Sequence, residues 1–247
     1  MSDELQPAAS VAIARQLAAS HPGASLPCPV CAVPLKAQNL ERHLGKTHAE
    51  HAQAGPSSSR LRARGTDRRI FVPTIALLIL WAAGAMVVIV LAGGKLGEVE
   101  SAILGGTGLL AFGLAAAAFT GAFKATLELE GETLHLRWLL GLASKQVRLP
   151  AKLETGTLTR QQLSNVTQDN VNVDSEEVKV GTYLRLRGGD TITIGAEGVA
   201  GLGKYWAQKG WSKAKKTRRT DIDIDGAALV ALEYQLAARG QLTPKGA

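Results

Sequence analysis

Near the amino terminus four residues have the types and the spacing to hold a metal ion. They are Cys28, Cys31, His43 and His48, set out as Cys-x2-Cys-x11-His-x4-His within LPCPVCAVPLKAQNLERHLGKTH. Two thiolates on a tight turn and two imidazoles on a following helix surround one Zn2+ tetrahedrally. The ion then supplies folding free energy that so short a segment cannot draw from a core. A redox Cys-x-x-Cys is the competing reading, but the flanking βαβ pattern is missing and both histidines would go unused. His51 is a spare ligand candidate, with a solvated helix-end histidine as its ordinary alternative.

With those ligands the segment 26–51 resembles a Cys2His2 zinc finger. Leu35 and Leu40 stand where the family keeps its two core hydrophobes, Leu40 three residues before the first histidine. The gap from Cys31 to His43 is one residue shorter than the usual twelve. The resemblance implies bound Zn2+, a ββα module, and base-reading positions at Lys36, Asn39 and Arg42. A single finger reads about three base pairs, too few for specificity. A protein partner is therefore expected at the finger, with nucleic acid as the alternative.

The elements around this site are dominated by two apolar runs. Residues 70–92 and 101–123 carry no charged side chain, and residues 93–100 between them hold Lys95, Glu98 and Glu100. Each run is long enough for a transmembrane helix, which needs about 20 apolar residues. Arg60, Arg62, Arg64, Arg68 and Arg69 precede the first run against one lysine in the loop, so the positive-inside bias places both termini in the cytoplasm. The expected fold class is a multi-domain membrane protein of the inner membrane. Its parts are a flexible segment 1–25, the finger 26–51, a basic linker 52–69, spans at 70–92 and 101–123, a β-rich domain 124–220 and a helix with tail at 221–247. Gly113, Ala117 and Gly121 recur every four residues, a face suited to the first helix or to a second copy, hence a homo-oligomer.

Beyond residue 123 the hydrophobic period drops to two. Residues 126–130 and 133–138 alternate around Gly131-Glu132, and residues 183–187 and 191–194 alternate around Gly188-Gly189-Asp190, both hairpin signals. Residues 145–149 and 153–160 read as further strands, 163–177 as a loop and 199–208 as a helix. The architecture is similar to the PH-like β-domains of bacterial membrane proteins, an antiparallel α+β arrangement; no residue motif carries that likeness. Residues 204–219 hold seven Lys+Arg and no acid. There Lys204, Trp206, Lys209, Trp211, Lys213, Lys215 and Lys216 suit anionic headgroups of a lipid bilayer, or stacking on single-stranded nucleic acid. Asp221, Asp223 and Asp225 before Gly226 copy the opening of a calcium loop, but its twelfth position falls on Leu232. A short strand leading to Asp225 as N-cap, with Leu229, Leu232 and Leu236 on one helical face and Gly240 past the end, accounts for them better.

The net charge of +7 and pI near 9.6 suit an anionic partner without demanding one. Two cysteines exclude a disulfide scaffold, and there is no Walker loop and no Gly-x-Ser-x-Gly. The expected function is a non-enzymatic, membrane-anchored cytoplasmic adaptor or sensor, the alternative a membrane-tethered nucleic-acid binder.

Overall fold

The computed structural model describes residues 7–52, 61–65, 71–92, 97–119, 125–138, 141, 143–165, 174–199, 204–207 and 215–245. Helix α1 (Pro7–Ser20) opens the chain and buries Val11 and Ala14. A small hairpin follows, β1 (Ser25–Pro27) against β2 (Pro34–Lys36), with Leu26 opposite Leu35. One 3-10 turn (Ala37–Asn39) leads into α2 (Leu40–Thr47), and the single-turn α3 (Ala49–Ala52) closes the segment. Leu40 and Leu44, four apart and so on one helical face, are both buried.

The linker expected at 52–69 contains a strand, β3 (Leu61–Gly65). Leu61 and Ala63 are buried while Arg62 faces out, a period of two hidden behind the arginines. β3 pairs antiparallel with β4 (Ala125–Glu130), and the helices α4 (Phe71–Leu91) and α5 (Glu98–Phe119) form the connection between these neighbouring strands. The two helices meet where Trp81 Nε1 donates to Thr107 Oγ1 at 3.2 Å and its ring lies over Gly108, with Ala111 and Ala115 buried beside it. Gly113, expected on the contact face, meets open space; Gly121 lies outside the described residues.

The two expected membrane spans are corrected here. Among the described residues no helix is long and apolar enough to cross a membrane. Helix α5 takes in Glu98 and Glu100 ahead of the apolar run 101–123, and residues 120–123 lie outside the described residues. The transmembrane hairpin, the inner-membrane location with both termini cytoplasmic, and the membrane-protein fold class fall together. What the described residues form is an α+β protein built on a β-sheet.

That sheet has seven strands. β4 turns through Gly131, at φ +57°, into β5 (Thr133–Trp138), which pairs with the start of β6 (Ala143–Asn165). β6 runs against β7 (Asp174–Glu197) as far as the pair Asn165 and Asp174. The stretch read as a loop at 163–177 is thus strand at both ends, and residues 166–173 lie outside the described set. β7 folds back on itself at Gly188-Gly189-Asp190. Gly198 N donates to Val180 O at 3.1 Å, Arg185 Nε reaches Thr193 Oγ1 at 3.0 Å, and Gly189 has a φ of +92° that favours glycine. Its returning arm pairs in parallel with β10 (Ile222–Ile224).

The short β8 (Trp206–Ala207), β9 (Lys215–Thr217) and β11 (Thr243–Pro244) complete the strands; β9 joins β6 in parallel, and β8 pairs with β11. Of the stretch 199–208 expected as a helix, residues 200–203 and 208 lie outside the described residues; Trp206 and Ala207 form β8, with the Trp206 indole turned into the core. The sheet's two ends approach at Gly65, where a Cβ would run into Asp223 O and the Ile222 side chain. The sheet therefore curls on itself, with α6 (Gly226–Ala238) packed beside β3 and β7 and against α1. Asp225 caps α6 by accepting from Ala227 N at 2.9 Å. Ten consecutive residues of α6, 228–237, are buried, as befits a helix apolar on all sides.

Candidate metal centre

The β1–β2 turn presents the cysteines. Cys28 N donates to Val33 O at 2.7 Å and Ala32 N to Cys28 O at 2.9 Å; Ala32 adopts φ 60° to close the loop. The histidines come from α2. Five residues of α-helix turn through about 500°, which would set His43 and His48 roughly 140° apart on the cylinder. The chain resolves this by leaving the helix: His48 has φ −139° and ψ 49° while its N–H still donates to Leu44 O. Both rings then face the thiols, their centroids 5.3 Å apart.

The ligand atoms of Cys28, Cys31, His43 and His48 all lie within 4.8 Å of one another, and they form the one such group among the described residues. Cys31 Sγ lies 3.4 Å from His43 Nε2. His48 Nε2 is a buried nitrogen with no hydrogen-bond partner, an arrangement that costs free energy unless something occupies its lone pair. Burial pushes the Cys28 thiol above its ordinary value, and burial, then the nearby His43, lowers the imidazole of His48. A neutral His48 is the form that donates a lone pair to a metal. His51 is outside the group, 6.5 Å from His48 between centroids and 3.6 Å from Glu50. The donor set fits a tetrahedral, closed site for a thiophilic divalent ion.

Supports for the site come from far along the chain. Tyr234 of α6 donates its hydroxyl to Pro27 O at 2.5 Å, one residue before Cys28. Its ring stands edge-on to Trp206 at 5.5 Å, and Trp206 Nε1 donates to Glu233 Oε2 at 2.8 Å. Burial raises the Glu233 carboxyl to about 8, only partly offset by the indole hydrogen bond. Arg15 of α1 reaches Glu41 at 2.7 Å across the outer side. Leu26, Cys28, Leu40 and Leu44 belong to the same buried cluster as Leu229, Leu232 and the strands of the sheet. The finger-like segment is therefore built into the fold rather than held on a leash.

The other sequence candidates are dispersed. Lys36, Asn39 and Arg42 are exposed on the outer surface of the 3-10 turn and α2. Of the proposed lipid contacts, Trp206 is fully buried, Lys204 and Lys216 are exposed, and Lys209, Trp211 and Lys213 lie outside the described residues, as does the side chain of Lys215. The three aspartates of the calcium-like stretch diverge: Asp221 binds Lys145 at 2.8 Å, Asp223 binds Arg160 at 3.3 Å, and Asp225 caps α6. Tyr234 and Glu233 were not singled out by the sequence, and Trp206 was read as a lipid contact rather than as a core residue. The available signal was Glu233 itself, a lone acid in the apolar run of α6 that needs a buried partner.

No protein-family model matches this chain, no curated protein matches it by sequence, and no solved structure matches it.

Proposed function

We propose that the protein is a non-enzymatic zinc-binding adaptor in which Cys28, Cys31, His43 and His48 hold one structural Zn2+. The observation that carries this reading is the convergence of four donor atoms within 4.8 Å around a buried, unpartnered His48 Nε2. Such a closed four-ligand site leaves no open position for a reactive water, which suits a structural ion over a catalytic one. The zinc ties the β1–β2 turn to α2, Tyr234 of α6 holds that turn from the core, and the exposed surface with Lys36, Asn39 and Arg42 is offered to a protein partner. The curled sheet supports the PH-like reading of the β-rich domain expected at residues 124–220. Metal analysis of the full chain tests the proposal. One zinc equivalent lost in Cys28→Ser supports it, and a metal-free protein that folds normally rejects it.

Nucleic acid is the second reading, and the exposure of Lys36, Asn39 and Arg42 favours it. Against it, Tyr205 and Trp206 of the basic run are buried and offer no stacking surface.

A further inference from the structure

Helices α4 and α5 pack on each other through one side of α5, where the Trp81 ring covers Gly108 and Ala111 and Ala115 are buried. The rest of the pair is open. Thirteen of its large apolar side chains are at least 39 % exposed, and Leu91 and Leu109 reach 82 % and 77 %. They leave apolar surface on the order of 1,500 Å2 uncovered, where the largest patch of a typical monomer is about 300–600 Å2. Covering such a surface is favoured in proportion to the apolar area removed from water. The chemistry of the face limits what can cover it. No charged side chain lies in residues 71–92 or 101–119. Ser101 Oγ donates to Gly97 O, and Thr107 Oγ1 to Ile103 O and Leu104 O, so both hydroxyls are engaged within their own helix. Among the described side chains a foreign partner finds no charge to pair with on this face, and recognition rests on shape.

That shape is complementary to itself. At about 100° per residue, Gly106, Leu110 and Gly113 lie on the side of α5 opposite Gly108, Ala111 and Ala115. Leu109 and Leu110 stand out from this far side, 77 % and 66 % exposed. A Cβ at Gly106 or Gly113 would meet nothing within 4 Å among the described residues. One face thus carries both a knob, Leu110, and a notch on either side of it. Small residues here suit either the first helix or a second copy, and α4 takes the opposite side of α5, which leaves the second copy. We infer that a second copy of this chain covers the face, α5 against α5 across a two-fold axis. Leu110 of each copy sits in the Gly106–Gly113 notch of the other, and the two α4 helices complete a four-helix bundle. A standard interface takes about 800 Å2 from each partner, and roughly half of the open apolar surface supplies it. This goes beyond the zinc reading and does not depend on it.

The test is sedimentation velocity of the full chain over a concentration series, with flotation on phosphatidylcholine vesicles run beside it. The expected species has twice the 25.9 kDa mass of the chain and dissociates on dilution. Gly113→Leu fills the notch and Leu110→Lys sets a charge in it, and each weakens the dimer by about tenfold or more. Phe112→Lys places the same charge on a residue that is 72 % exposed but off the notched face, and leaves the dimer unchanged. All three positions are exposed, so zinc content and fold stay at the wild-type level. Three results would overturn the inference: a monomer at every concentration, flotation of the chain with the vesicles in place of a dimer, or equal weakening by Leu110→Lys and Phe112→Lys, which marks unspecific adhesion of apolar surface. Zinc content measured in the same samples separates failure of this inference from failure of the metal site.

Discussion

Glu233 is the single acid of α6, and its carboxyl is buried with Trp206 Nε1 as donor. Its folded pKa of about 8 against 4.5 for the free group fixes a sign. Between these values the unfolded chain has lost the proton and the folded chain keeps it, so stability falls as pH rises from about 4.5 to about 8 and levels off above. Glu233→Gln keeps an acceptor for the indole and removes the titration. Denaturant melts across this range should show the wild type losing stability relative to the variant, by on the order of several kcal/mol over the window; parallel curves would show that Glu233 is ionised in the fold. The ligand residues make a second, sharper expectation. Cys28→Ser and His48→Ala each lose the bound zinc, whereas His51→Ala keeps it; retention in His48→Ala with loss in His51→Ala would reassign the fourth ligand. The ligands were legible because metal coordination imposes a local spacing on the sequence. Tyr234 was not, because its partner Pro27 lies 207 residues away and no local pattern encodes that contact.

At the scale of elements, α6 is the organiser that the finger leans on. Tyr234→Phe removes the hydrogen bond to Pro27 O and is expected to cost about 1 kcal/mol of stability while loosening zinc in a chelator competition; unchanged affinity would mean the Cys28 turn is held without α6. Isolated residues 20–55 leave Leu26, Leu40 and Leu44 without α1, α6 and the sheet. That fragment should therefore bind zinc at least about tenfold more weakly than the full chain, a loss of some 1.4 kcal/mol; equal affinity would make it an autonomous finger. Element recognition from sequence succeeded where a local rule applied. The β4–β5 turn at Gly131, the reversal of β7 at Gly188-Gly189 and the Asp225 cap all have one. It failed for β3, whose alternation of Leu61 and Ala63 with arginines reads as a charged linker until Glu128 of β4 is seen opposite Arg62 at 3.1 Å. It failed again at β8, where the burial of Trp206 against Tyr234 overrides a helical pattern.

For the whole molecule, the error of scale was to take apolar length as the organising fact. The chain reads as beads in sequence order, finger, helix pair and β-domain. In the structure β3 and β4, which flank the helix pair, are neighbours in one sheet, and the finger-like segment shares its core with α6. Non-local closure of this kind leaves no mark on periodicity. The account's central claim is that one zinc, bound by two thiolates and two imidazoles, joins the β1–β2 turn to α2 within a segment that shares that core. Zinc-edge X-ray absorption on the purified full chain tests it most directly. The account predicts one zinc per chain with two sulfur neighbours at about 2.3 Å and two nitrogen neighbours at about 2.0 Å. A chain that folds without zinc, or holds it through oxygen and nitrogen alone, would contradict it.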